Sequence, residues 1–131
     1  MNISSSHEEK KDKKAKNPYF WLQQVVGDYI NCKLTKEQWR SPTFFKEAAF
    51  KAVAESNSKV LSYLEHEFSP QGYTILMILA ESSLTLHCWP EERFISVEIF
   101  TCGKRNIPKK GLDYLKNIFQ PENYKIKEIE R

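Results

Sequence analysis

Two apolar-rich runs joined by a short polar turn constrain this chain more than any other feature. Ser82 to Trp89 and Phe94 to Cys102 flank Pro90-Glu91-Glu92-Arg93. Apolar and polar residues alternate on both sides of the turn, the pattern of a half-buried β-hairpin. Leu84 and Leu86 point one way, Thr85 and His87 the other. In the second run Ile95, Val97 and Ile99 share a face opposite Ser96, Glu98 and Phe100. With the turn centred near Glu92, cross-strand partners sum to about 184 and opposed residues sit roughly 5 Å apart. That register predicts Cys102 opposite Ser82, a thiol facing a hydroxyl beside the Glu81 carboxylate. His87 does not join this group locally: five residues at roughly 3.3 Å each place it about 16 Å along the strand, so it reaches Ser82 only from another chain or if the strand breaks.

The flanking sequence predicts what packs on the hairpin. Leu22 to Cys32 reads as a first strand. Ser41-Pro42 starts a helix, with serine as N-cap and proline at the first helical position. Phe44, Phe45, Ala48, Ala49, Ala52 and Val53 give that helix one apolar stripe. Val60 to Phe68 predicts a strand with Val60, Leu64, His66 and Phe68 on one face. Ser69-Pro70-Gln71-Gly72 is a turn. Tyr73 to Ala80 is nearly continuously apolar and predicts a strand buried on both faces. A basic loop follows Gly103. Pro108 opens a second helix with Leu112, Leu115, Ile118 and Phe119 as its apolar side, stopped at Gln120-Pro121. Tyr124 to Ile129 is a last strand. The order β-α-β-β-β-β-α-β predicts an α+β, two-layer fold: a mainly antiparallel sheet with helices on one face. The bare face calls for a partner, most simply a second copy in a C2 dimer, making four layers.

Length and charge narrow the function classes. The 131 residues, 40% hydrophobic, support one domain with a core, expected over 18–131. Residues 1–17 carry five lysines against Glu8, Glu9 and Asp12 and read as a disordered basic tail. The net charge of +3 resides partly there, so no nucleic-acid footprint is expected. No apolar run nears the roughly 20 residues a membrane helix needs, and the N-terminus has no apolar signal core. Cys32, Cys88 and Cys102 form no framework spacing, which suits a reducing cytoplasm. His87-Cys88 has no further ligands at metal spacing, so no metal is expected.

Several short runs, in order, carry a family likeness. Glu81-Ser82, His87, Trp89-Pro90-Glu91 and Phe100-Thr101-Cys102-Gly103 resemble the small prokaryotic S-adenosylmethionine decarboxylase proenzymes. The likeness continues through His66, Phe68-Ser69-Pro70-Gln71-Gly72 and Glu128-Ile129-Glu130-Arg131, over roughly residues 22–131. The resemblance implies a pyruvoyl-dependent decarboxylase, a carboxy-lyase that makes the aminopropyl donor for spermidine and other polyamines. Decarboxylation of an amino acid needs an electron sink, and no common side chain offers a ketone. The chain would therefore cleave itself between Glu81 and Ser82, giving fragments 1–81 and 82–131. Ser82 would become the pyruvoyl group that forms a Schiff base with substrate. His87 is implied as the residue promoting processing, Thr74 as its hydroxyl assistant where serine is usual, and Cys102 as proton donor in decarboxylation. Phe68, Trp89 and Glu91 fall on the substrate-binding positions.

The chain departs from the family pattern at Ser83 (usually histidine), at Leu22 and Gln24, and at Glu92-Arg93-Phe94, usually Tyr-Gly-Tyr. The distance to His87 predicts shared sites in a homodimer: Ser82 and Cys102 from one protomer, and His87, Glu91, Phe68 and Thr74 from the other. Two alternatives stay open at this point, an arginine or ornithine decarboxylase on the same scaffold and an uncleaved regulatory homologue.

Overall fold

The structure, a computed structural model, describes residues 21–103 and 107–129. The expected N-terminal tail lies outside the described residues. Strand β1 (Leu22–Cys32) leads through a short helix α1 (Lys36–Trp39) to helix α2 (Pro42–Glu55). Strands β2 (Val60–Glu67), β3 (Tyr73–Leu79), β4 (Ser82–Trp89) and β5 (Phe94–Cys102) follow. A single 3₁₀ turn, Pro90–Glu92, joins the last two. Helix α3 (Pro108–Phe119) and strand β6 (Pro121–Ile129) complete the described chain. The six strands form one antiparallel sheet ordered β2-β3-β4-β5-β1-β6. This is the expected α+β architecture.

Helices α2 and α3 pack together against one sheet face. Phe45, Ala49, Ala52, Leu112, Leu115 and Phe119 meet Tyr29, Ile75, Leu84, Leu86, Ile95 and Val97 in the core. Each such large side chain, fully buried, contributes about 1.5–3 kcal/mol. The start of α2 is as expected: Ser41 Oγ accepts from the Phe44 amide at 3.1 Å, with Pro42 at the first position. Helix α1 was not anticipated. It carries a capping box, the Gln38 amide donating to Thr35 Oγ1 at 3.1 Å and the Thr35 amide to Gln38 Oε1 at 2.9 Å.

Three strand expectations are corrected. Strand β3 is not buried on both faces: Leu76 and Ile78 are 46% and 60% exposed, because the helices cover one side only. Val60 does not share a face with Leu64 and His66. The register shifts between Val60 and Ser62, and the extra residue flips Val60 to the helix side, opposite Leu79. In the hairpin, Ser82 pairs with Thr101, not with Cys102, so partners sum to 183. Directly opposed residues share a face, so this register pairs Leu84 with Ile99 and Leu86 with Val97. A sum of 184 would have set each leucine against a residue of the bare face.

Candidate active site

The expected residues gather at two ends of the bare-faced sheet. The first group lies where β2, β3 and β4 approach the Ser69–Gly72 turn. His66, Thr74 and His87 are consecutive cross-strand neighbours. Thr74 Oγ1 and His87 Nδ1 are 2.9 Å apart, a hydrogen bond that fixes the imidazole plane. His87 lies against Trp89, ring centroids 5.7 Å apart, and Trp89 stacks on Phe94 at 5.4 Å. Phe68 packs edge-on against His66 at 4.6 Å. Phe68 and Trp89 are 51% and 40% exposed, so their rings are open to a ligand. Gly72, with φ of +117°, holds the turn between them in a conformation that favours glycine. Glu91 is exposed in the 3₁₀ turn just beyond Trp89. This end thus offers two aromatic surfaces, a carboxylate and an oriented imidazole.

The second group lies at the far end of β4. Ala80 and Glu81 form the tight connection from β3 to β4, and Glu81 has φ of +66°. A left-handed conformation in a non-glycine residue costs on the order of 1–3 kcal/mol. The strain sits on the residue that precedes Ser82. The Glu81 carbonyl oxygen accepts from the Cys102 amide at 3.0 Å. Ser82 itself lies on the face of Leu84 and Leu86, and its Oγ is buried with no hydrogen-bond partner among the described residues. By alternation the Cys102 side chain takes the opposite face from Thr101, so it does not face the Ser82 hydroxyl. The expected thiol–hydroxyl juxtaposition is replaced by one between the Cys102 backbone and the Glu81 carbonyl.

This junction has the parts for an N-to-O acyl shift. A serine oxygen reaches the preceding carbonyl carbon through a five-membered ring. The amide donor on that carbonyl is placed to stabilise an oxyanion formed there. The two groups remain apart within one chain: Ser82 and His87 are five residues distant on one strand, about 16 Å, and face opposite sides of the sheet.

Cys32 and Cys88 are buried, whereas Cys102 is half-buried. Burial pushes both Cys32 and Cys88 up to about 12. They are inert core residues at neutral pH, and Cys88 gains no site role. Among the described residues no cluster of three His, Cys, Asp or Glu side chains is placed to hold a metal. No described helix is long and apolar enough to cross a membrane.

Sequence reasoning missed Thr101, which directly opposes Ser82, and the strained backbone of Glu81. Face parity with Ile95, Val97 and Ile99 carried the first signal. Nothing in the residue type of Glu81 carried the second.

A six-stranded antiparallel sheet with helices on one face, ending in a strained Glu-Ser junction, defines a class of two-layer α+β proteins. Comparison with known proteins narrows it. Residues 23–131 match the family of S-adenosylmethionine decarboxylase. The S-adenosylmethionine decarboxylase proenzyme of Clostridium botulinum is 34% identical over 107 residues, 82% of this chain and 90% of that protein. Proenzyme 2 of Bacillus cereus is 40% identical over 80 residues, 61% of this chain and 65% of that one. The crystal structure of the adenosylmethionine decarboxylase from Aquifex aeolicus superposes with a TM-score of 0.75 at 22% identity, covering 85% of this chain and 90% of that one. The chain belongs to the S-adenosylmethionine decarboxylase family.

Proposed function

We propose that this chain is a self-processing, pyruvoyl-dependent decarboxylase of S-adenosylmethionine, supplying the aminopropyl donor for polyamine synthesis. The observation that carries the reading is the Glu81–Ser82 junction: a left-handed residue whose carbonyl is polarised by the Cys102 amide, next to a buried, unbonded hydroxyl. In the first step the Ser82 Oγ–carbonyl carbon bond forms, the Glu81–Ser82 C–N bond breaks, and the hydroxyl proton ends on the freed amine. Elimination and hydrolysis then release fragments 1–81 and 82–131 and ammonia. The resulting ketone at residue 82 supplies the electron sink that decarboxylation needs.

The chain's own residues do the rest. His87, held by Thr74, moves the proton lost in the elimination. Phe68 and Trp89 stack the adenine, and Glu91 accepts from the ribose hydroxyls. The Cys102 thiol returns a proton to the carbon that loses carbon dioxide. After cleavage residue 82 is a chain end, held by β-pairing on one side of its carbonyl carbon only, and can turn toward the bare face.

Two protomers packed through the bare faces would bring the partner's His87, Phe68 and Thr74 to this residue. Exposed Leu64, Leu76 and Ile78 supply apolar area for that packing. We place the protein in the cytoplasm, where its three thiols stay reduced. The family match and relatives' names point to S-adenosylmethionine, and nothing found favours arginine or ornithine or a regulatory role. Mass analysis of the purified protein, with carbonyl trapping on the 82–131 fragment and carbon dioxide release from carboxyl-labelled S-adenosylmethionine, tests the reading. An intact chain of 131 residues, or one that releases no carbon dioxide, would sink it.

A further inference from the structure

Ser82 and Thr101 are directly opposed on β4 and β5. The Cys102 amide bonds the Glu81 carbonyl, one step outward from this pair. The Ser82–Thr101 pair is therefore of the non-hydrogen-bonded kind, whose side chains approach most closely, with Cα atoms about 4.5 Å apart. Both side chains lie on the helix face, and Thr101 is fully buried. Neither hydroxyl has a hydrogen-bond partner among the described residues. Two orphaned hydroxyls, buried side by side, are anomalous in a core otherwise built of Leu84, Leu86, Ile95, Val97 and Ile99. Valine has the shape of threonine and would fill the Thr101 site with nothing left unsatisfied. A buried threonine here stabilises the fold less than valine would, so packing does not account for it.

We propose that Thr101 is a positioning residue for the self-cleavage: its Oγ1 accepts a hydrogen bond from the Ser82 hydroxyl and holds Oγ toward the Glu81 carbonyl carbon. The inference rests on the reading that the chain breaks at Glu81–Ser82. The Cys102 amide polarises the carbonyl from the neighbouring position, so two successive residues of β5 act on the scissile peptide, one by backbone and one by side chain. Once the bond has broken, the Ser82 hydroxyl no longer exists and Thr101 has no further task. Its effect is confined to processing.

The test is the cleavage time course of freshly synthesised full chain. Thr101→Val is expected to slow cleavage at least tenfold, and Thr101→Ser to restore it to within about threefold of wild type. Chains of Thr101→Val that have cleaved should decarboxylate at the wild-type rate per carbonyl-bearing fragment. Melting is compared in the uncleavable Ser82→Ala background, where adding Thr101→Val should leave the midpoint unchanged or higher. Cleavage of Thr101→Val within twofold of wild type would overturn the inference. So would a Thr101→Ser chain as slow as Thr101→Val, or a marked fall in melting midpoint, since either would assign Thr101 to packing. A wild-type chain that stays intact would remove the self-cleavage reading and this inference together. A cleaving wild type with an equally fast Thr101→Val variant would remove this inference alone.

Discussion

At the scale of single residues, the proposed chemistry separates side chains from backbone at one position. In the proposed reaction Cys102 serves processing through its amide, which bonds the Glu81 carbonyl, and decarboxylation through its thiol. Cys102→Ala keeps the amide. Processing should continue within a few-fold of wild type, while kcat for decarboxylation falls by about 10²-fold or more, the usual contribution of a positioned acid. Gel densitometry and carbon dioxide release on the same sample read the two effects separately. Thr74 is the complementary case, since its 2.9 Å contact orients His87. Thr74→Val loses one hydrogen bond, about 0.5–1.5 kcal/mol net, which corresponds to roughly 2- to 13-fold slower cleavage. Thr74→Ser should cleave as fast as wild type. Equal rates for Thr74→Val and wild type would mean that the threonine does not orient the imidazole. Arg93 closes the hairpin turn with φ of +51°, and its guanidinium donates to the Cys32 carbonyl at 3.2 Å.

At the scale of elements, much was legible because alternation and capping are local. The bounds of β1, the Ser41-Pro42 start of α2 and the Pro108 start of α3 follow from residue types alone. Register was less legible, since it depends on pairing across the turn. The parity of Leu84 with Ile99 and of Leu86 with Val97 held that information, but a turn centred on Glu92 does not express it. The bulge at Leu61 left no trace in the sequence, because β2 is an exposed edge strand with little apolar patterning to betray a flip. Legibility of the site followed the same division. Thr74, His87 and Trp89 cluster as alternation requires, whereas the strain at Glu81 belongs to a turn geometry that disfavours its own residue type. The helix pair shows another constraint invisible in sequence. Gly111 of α3 lies against α2, where a Cβ would meet Ser56 Oγ and come within 2.6 Å of the Ala52 carbonyl oxygen. Gly111→Ala should therefore destabilise by about 1–3 kcal/mol through overpacking, despite alanine's better helix propensity. Denaturant unfolding of the Ser82→Ala chain measures this, and a stabilised variant would contradict the packing.

At the scale of the whole molecule, stability should decline in alkali. Cys32 and Cys88 are held up to about 12 by burial, against about 8.5 in an unfolded chain. Between these values the unfolded state has released protons that the folded state retains. Stabilisation is thus complete below about pH 8.5 and is lost as pH rises toward 12. Substituting both cysteines by alanine should flatten that slope in urea titrations at pH 9 and pH 10.5. An unchanged slope would mean that other groups dominate.

The arrangement of the two half-sites makes a sharper demand on the assembled molecule. Ser82 and His87 face opposite sides of the sheet, about 16 Å apart along one strand, so no side-chain rotation joins them within a protomer. If the partner supplies the imidazole, a His87→Ala chain fails to cleave alone but cleaves when paired with a Ser82→Ala chain, whose His87 is intact. In that mixed dimer one site carries neither defect and the other carries both. Co-expression should therefore yield the 82–131 fragment from the His87→Ala chain only, identified by its mass, while the Ser82→Ala chain stays whole. Adding Leu76→Asp and Ile78→Asp to both chains would charge the bare face and should abolish the rescue, as dimers give way to monomers in sedimentation. If the His87→Ala chain cleaves equally well alone and mixed, His87 is dispensable for processing. If it cleaves in neither case, the imidazole acts within its own chain and the strand must break to bring it to Ser82.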